Sequence, residues 1–192
     1  MTVSLEQIRA FLSSYRPRTS STQGLKRAAV LVPIFLKNNA LHLLFTKRTK
    51  SVEHHKGQIS FPGGAVDKHD TDAAMTALRE TEEEIGLDRS AVEILGAFDD
   101  YNTPSGYGIT PVVGFLASVP PLTPSSHEVA EIFDVPLDFF LDPANEQVIH
   151  VRRNKQWREV YFYNAGEYEI WGVTAAILRS FLRELVGSTS PG

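Results

Sequence analysis

The chain has 192 residues, 42% of them hydrophobic, which fits one domain with a sizeable core. Its 19 basic and 23 acidic residues give a formal net charge of -4, without the basic excess that gripping a nucleic acid backbone requires. No nucleic acid partner is expected, and an anionic substrate must be met locally, by a metal or a few cations. The absence of cysteine excludes disulfides, thiolate metal sites and cysteine nucleophiles.

The first residues, Met1 to Ile8, have neither a basic region nor an unbroken apolar run of the signal-peptide kind. The longest apolar stretch, Ala28 to Leu36, contains Pro33 and is far shorter than the roughly 20 residues that span a bilayer. The expectation is a soluble, cytoplasmic protein without a membrane partner.

Ser4 and Gln7 form a capping-box pattern, and Leu5, Ile8, Phe11, Leu12 and Tyr15 follow at helical spacing, so a short amphipathic helix opens the chain. Pro17 breaks it, and residues 1–24 read as this helix plus a connecting loop. Ala28 to Phe35 and Leu41 to Thr46 are β-prone runs joined at Lys37-Asn38-Asn39, whose asparagines tolerate a left-handed turn. A helix is expected from an N-cap at Asp70 to a C-cap at Gly86, with Ala74, Leu78 and Ile85 on its buried face. Strands are expected over Val92 to Phe98, Ile109 to Leu116, Gln147 to Val151 and Trp157 to Tyr163, the last two joined near Asn154-Lys155. A final helix, Val173 to Val186, precedes a flexible tail that includes residues 188–192. Strands mixed with three helices imply an α/β layered fold, with residues 25–187 as its main domain.

The informative segment is Arg79-Glu80-Thr81-Glu82-Glu83-Glu84-Ile85-Gly86-Leu87. Four carboxylates crowd the last turns of a helix, where the dipole is negative and like charges repel, so stability alone does not select them. At about 100° per residue, Glu80, Glu83 and Glu84 share an arc of roughly 100°, whereas Glu82 points about 150° away. Three convergent carboxylates suit Mg²⁺ or Mn²⁺, hard cations that take oxygen ligands and bridge to phosphates. Arg79 lies beside Glu83 on the helical wheel, and the Gly63-Gly64 pair upstream lets backbone approach a metal or phosphate closely. The plain alternative is a solvated acidic face, an interaction module without metal chemistry.

Gly64 through Leu87 resembles the Nudix box, G-x5-E-x7-R-E-U-x-E-E-x-G-U with U a bulky apolar residue. Arg79, Glu80, Glu83, Glu84, Gly86 and Leu87 match. Three departures are present: one extra residue separates Gly64 from Arg79, no Glu stands at the first acidic position, where Asp70 or Asp72 is the substitute, and Thr81 replaces an apolar residue. The resemblance implies a Nudix α/β/α sandwich with a mixed sheet between helices. It also implies a metal-dependent pyrophosphohydrolase in which Glu80, Glu83 and Glu84 bind metal, the Gly63 or Gly64 carbonyl adds a ligand, and Arg79 orients the acids. The general base is variable in this family; Glu83, Glu84, His127 and Glu128 are candidates, with Glu128 preferred.

Upstream, Leu43 to Thr49 and Gly57 to Gly64 are similar to the extra motif of coenzyme A pyrophosphatases, roughly L-L-T-x-R-(S/A)-x3-R-x3-G-x3-F-P-G-G. Leu44, Thr46, Arg48, Gly57 and Phe61 to Gly64 fit, while Glu53 stands where the motif has Arg and Lys47, Lys50, His54, His55 and Lys56 offer nearby cations. By resemblance, Arg48, Gly57, Phe61, Gly63 and Gly64 contact a nucleoside diphosphate derivative of the coenzyme A class. Trp171 is expected to pack the last helix onto the sheet, and Phe98, Tyr101 and Tyr107 to pack or to line a ligand pocket. The implied reaction gives adenosine 3′,5′-bisphosphate and (acyl-)4′-phosphopantetheine. Other Nudix substrates (ADP-ribose, NADH or dinucleoside polyphosphates) and a non-catalytic nucleotide sensor stay open, as does a homodimer; the three retained acids favour an enzyme over a sensor.

Overall fold

Residues 2–21, 24–49, 57–153 and 156–189 are described by the structure, a computed structural model. Lys50, Glu53, His54, His55 and Lys56, and the Asn154-Lys155 turn, lie outside these residues. The helices are α1 (Leu5–Ser14), α2 (Ala73–Ile85), α3 (Leu137–Leu141) and α4 (Gly172–Thr189). The strands are β1 (Lys26–Lys37), β2 (Ala40–Arg48), β3 (Ile59–Ser60), β4 (Gly63–Ala65), β5 (Glu93–Ala97), β6 (Tyr101–Asn102), β7 (Tyr107–Leu116), β8 (Val129–Pro136), β9 (Glu146–Arg153), β10 (Gln156–Ala165) and β11 (Tyr168–Trp171).

The central sheet is mixed and eight-stranded: β3-β2-β1-β7-β5 form its path, β4 pairs β1, β6 pairs β7 and β8 pairs β2. β1 and β7 run parallel at its middle, and the other pairs are antiparallel. Both faces of β1 are apolar because both are covered. Ala29, Leu31 and Phe35 pack with Ala77 and Ile85 of α2, whereas Val32 and Ile34 pack with Ile8 and Phe11 of α1 and Leu178 and Phe181 of α4. This alternation builds the expected α/β/α sandwich. A smaller antiparallel sheet, β11-β10-β9, lies beside α4.

Local chemistry explains the first elements. Ser4 and Gln7 make both hydrogen bonds of the capping box on α1. Asn38 and Asn39 both have positive φ, 50° and 62°, the conformation a two-residue hairpin between twisted strands requires. β1 uses one edge for β7 along its length but divides the other between β4 at Ala28–Val30 and β2 at Ile34–Lys37. Pro33, which has no N–H to give, falls in the interval. In that interval the Leu31 amide donates to the Pro62 carbonyl at 2.8 Å, which fixes the loop entering β4.

Several expectations are corrected. The N-cap of α2 is Asp72, whose side chain accepts from the Met75 amide, and not Asp70. α4 continues to Thr189 rather than stopping at Val186, so Gly187 and Ser188 belong to the helix and not to a tail. Trp171 does not pack α4 onto the sheet: it is 38% exposed and stacks on Phe162 of the small sheet. β8, β11 and α3 were not expected as elements from the sequence. Among the described residues no helix is long and apolar enough to cross a membrane.

Phe45 of β2 is fully buried and has ring neighbours Phe61, Phe133 and Phe140 at 5.0, 5.6 and 5.8 Å. Phe45→Ala is expected to lower unfolding free energy by about 3 to 5 kcal/mol in urea titrations. It should also cost activity, because Phe61 leads directly into the Gly63-Gly64 loop.

Candidate active site

The site forms where β4, the C-terminal half of α2 and the ends of β2 and β8 meet. Two glycines permit the approach. A Cβ on Gly63 would lie 2.4 Å from the Ala29 carbonyl oxygen, and a Cβ on Gly64 would lie 2.3 Å from Glu80 Oε2. The Gly63 contact is with fixed backbone, so β4 packs on β1 only without a side chain there, whereas a side chain at Gly64 would push the Glu80 carboxylate aside.

Arg79 is the hub of the cluster. Its Nε and Nη2 donate to both oxygens of Asp70 at 3.1 and 2.8 Å, a two-pronged pair. Nη2 also donates to the Ala65 carbonyl at 3.0 Å, while Nη1 donates to Glu80 at 2.8 Å and to Glu83 at 3.4 Å. One guanidinium thus ties helix, β4 and the loop between them. The Asp70 side chain is only 2% exposed, and Arg79 holds its carboxyl well below the usual carboxylate range. Of the two acids considered for the vacant first position of the box, Asp70 takes the pairing with Arg79, and Asp72 caps the helix.

Glu84 is 6% exposed, and its Oε2 accepts from the Gly63 amide at 3.1 Å. Burial pushes its carboxyl up to about 7, with Glu128 and Glu80 reinforcing and the Gly63 amide and Arg48 opposing. Burial also raises Glu80, against the pull of Arg79. Glu83 is the outer member, its side chain 61% exposed. Glu82 turns away as its helical angle requires and pairs with Arg89. Thr81 is buried and satisfies its hydroxyl on the Ala77 carbonyl at 2.6 Å, so it fills an apolar position without an orphaned donor.

Opposite the helix stand Arg48 and Glu128. Arg48 Nη1 is 3.6 Å from Glu84 Oε1, and Nη2 is 4.0 Å from Glu128 Oε2. Arg48 Nε is buried without a hydrogen-bond partner among the described residues. Glu128 is positioned by backbone that the sequence did not reveal. The Thr123 and Ser125 amides cap the Ile85 and Glu84 carbonyls at 2.9 and 2.8 Å, and the Glu128 amide then donates to Ser125 at 3.0 Å. Thr49, next to Arg48, binds the Glu128 carbonyl through its amide at 2.9 Å and the His127 carbonyl through its hydroxyl at 2.8 Å.

The structure therefore gathers Arg48, Gly63, Gly64, Arg79, Glu80, Glu83, Glu84 and Glu128. Gly57, with φ of 69°, opens the turn into β3. Phe61 is a correction: its side chain is 3% exposed and stacks on Phe45, so it anchors the loop and leaves only backbone for a ligand. Phe98 is likewise core, between Tyr15 and Phe181. Asp70 and the 123–125 cap were the least legible parts of the site.

A metal fits the donor chemistry. Among the described residues no three carboxylates or imidazoles stand arranged to hold an ion, as Arg79 engages Glu80 and Glu83 and the Gly63 amide engages Glu84. The donors are nevertheless hard oxygens, and the buried Glu84 carboxyl, raised by burial and neighbouring acids, marks a place short of positive charge.

A glycine loop packed closely on β1 ahead of a helix with convergent acids, set in an α/β/α sandwich, is the arrangement of a Nudix-type protein. Residues 25–157 match the NUDIX domain family, and the chain belongs to it. It is 39% identical over 160 residues to an uncharacterized Nudix hydrolase, NudL, of Photorhabdus laumondii, covering 83% of this chain and 85% of that protein. It is 36% identical over 179 residues to the NudL of Escherichia coli K12, also uncharacterized, covering 91% and 93%. Its fold is similar to that of the M. smegmatis Nudix hydrolase RenU, with a TM-score of 0.59 at 20% identity over 88% of this chain and 90% of that one. It is also similar to a MutT/nudix family protein from Enterococcus faecalis, with a TM-score of 0.56 at 17% identity over 96% and 70%.

Two outcomes are expected. Asp70→Asn leaves Arg79 with a weakened anchor and should lower stability by about 2 kcal/mol and kcat by about 10- to 100-fold, read by melting and steady-state kinetics. Unchanged kinetics would show that Arg79 is held without Asp70. In metal-free protein, Glu84 binds its proton more tightly folded, near 7, than at its ordinary value of 4.5. Its stabilising contribution is complete below about 4.5 and is lost as pH rises through about 7, at most about 3 kcal/mol. Melting in EDTA from about pH 5 to 8 should show this decline, and Glu84→Gln should flatten it; equal slopes would refute the assignment.

Proposed function

We propose that this Nudix hydrolase cleaves the diphosphate of coenzyme A or its acyl derivatives, giving adenosine 3′,5′-bisphosphate and (acyl-)4′-phosphopantetheine. The observation carrying this reading is Arg48. The segment that resembles the coenzyme A motif ends β2 with this guanidinium, 3.6 Å from Glu84 and 4.0 Å from Glu128, its Nε unpartnered among the described residues. A cation held between acids but closed on neither is suited to a substrate phosphate.

In this reading Glu80, Glu83 and Glu84, with the Gly63 carbonyl, hold Mg²⁺ or Mn²⁺. The bound cation supplies charge neutralisation on the diphosphate and acidification of a water. Arg79 orients Glu80 and Glu83 from its anchor on Asp70 and Ala65. Arg48 binds and aligns a phosphate, and Gly57 and Gly64 let the backbone lie against the substrate. Glu128, its side chain 52% exposed, takes the proton of the attacking water. No covalent intermediate is needed.

Chromatographic product analysis with coenzyme A, ADP-ribose and NADH, in Mg²⁺ or Mn²⁺, tests the proposal. Bisphosphate and phosphopantetheine from coenzyme A are expected, with Glu83→Gln lowering the rate at least about 100-fold. Cleavage of ADP-ribose or NADH alone would overturn the coenzyme A assignment while keeping the hydrolase.

A further inference from the structure

On the side of the central sheet that packs against α1 and α4, a cavity of about 650 Å³ opens between β10, α4 and β6. Arg158 and Tyr161 of β10, Arg179 and Arg183 of α4, and Tyr101 of β6 form its walls. Arg179 and Arg183 are one helical turn apart, a spacing at which like charges repel. Arg179 is partly spoken for: Nε donates to Glu146 at 3.0 Å, and the guanidinium lies 4.0 Å over the Tyr161 ring. The lining acids are also engaged, Glu184 by Arg18 at 3.0 Å and Glu159 by the Tyr161 hydroxyl and by His150 at 3.6 Å. The guanidinium groups of Arg158 and Arg183 have no hydrogen-bond or ion-pair partner among the described residues and line the same cavity, Arg183 acting on Glu159 only through longer-range attraction.

Unpaired guanidiniums supply planar donor forks for phosphate oxygens, and phenol rings supply a stacking surface for a flat heterocycle. We propose that this groove binds a nucleotide, with Arg158 and Arg183 on phosphate and Tyr101 against the ring. The groove is apart from the acidic cluster. Ala65, whose carbonyl holds Arg79, is paired across to Ala28, Ala28 to Ile109 and Ile109 to Tyr101. Three interstrand steps put about 14 Å between them. That span leaves two sources for the nucleotide, the distal half of the hydrolase's own substrate and a separate molecule.

Isothermal titration with adenosine 3′,5′-bisphosphate in EDTA tests the site without requiring hydrolysis, so failure of the coenzyme A reading does not decide it. Wild-type protein should bind, and the double variant Arg158→Ala/Arg183→Ala should bind at least about tenfold more weakly, while Glu83→Gln binds as wild type. No binding by wild type, or equal affinity in the double variant, would overturn the proposal. Kinetics with coenzyme A separate the sources: a raised KM with unchanged kcat in the double variant assigns the groove to the substrate's distal half, and an unchanged KM assigns it to a separate nucleotide.

Discussion

The site depends on one guanidinium holding mutually repelling carboxylates in place. Asp70, Glu80, Glu83, Glu84 and Glu128 gather around Arg79 and Arg48, so five acids meet two bases and three negative charges are left over in formal terms. Asp70 saturates one edge of Arg79 in a two-pronged pair, which leaves Nη1 for Glu80 and Glu83. A lysine cannot do this, because a point charge has no fixed fork to divide between a loop and a helix. Burial raises Glu84 and Glu80, neighbouring acids add to it, and a divalent cation is the charge that would offset both.

Holding repelling groups together requires a rigid frame, and most of it is backbone. The end of α2 is finished twice: Gly86 adopts the left-handed conformation that lets its own amide reach Glu82, and the 123–125 loop then covers the Ile85 and Glu84 carbonyls. That loop delivers Glu128 to the same helix end as Glu84, so acids about 40 residues apart in sequence are fixed by shared hydrogen bonds. Thr49 closes the frame from the β2 side. Conformational freedom is thereby removed before any ligand arrives, which is where preorganised electrostatic sites derive their advantage.

Sequence pattern made the sandwich legible, since β1, β2 and β7 carry near-continuous apolar runs that are covered on both faces, and the long helices carry apolar residues at helical spacing. The helical wheel likewise separated Glu82 from Glu80, Glu83 and Glu84, because that depends only on the 100° step. Contacts between distant segments were not legible. Asp70 read as an N-cap because Asp is a good cap, but Asp72 stands at the right phase to accept from the Met75 amide, freeing Asp70 for a partner nine residues on. Phe61 read as a ligand contact from its place in a motif; its neighbour across the fold, Phe45, makes it core. β8 has a mixed burial pattern and ends at Pro136, so its edge pairing with β2 left little local signal.

Charge is also distributed with a spatial logic. A chain of net charge -4 that handles diphosphates must keep its cations from being consumed by its own acids. Arg48 meets this by geometry, standing between Glu84 and Glu128 at distances too long for either to capture it fully. Arg158 and Arg183 meet it by separation. Tyr101, which lines the groove with them, stands about 14 Å from Ala65 at the cluster, beyond the roughly 8 Å over which exposed charges act at physiological salt. Cations that are unpaired at that distance neither neutralise the carboxylates nor compete with a metal for them, so each region retains the charge its ligand needs.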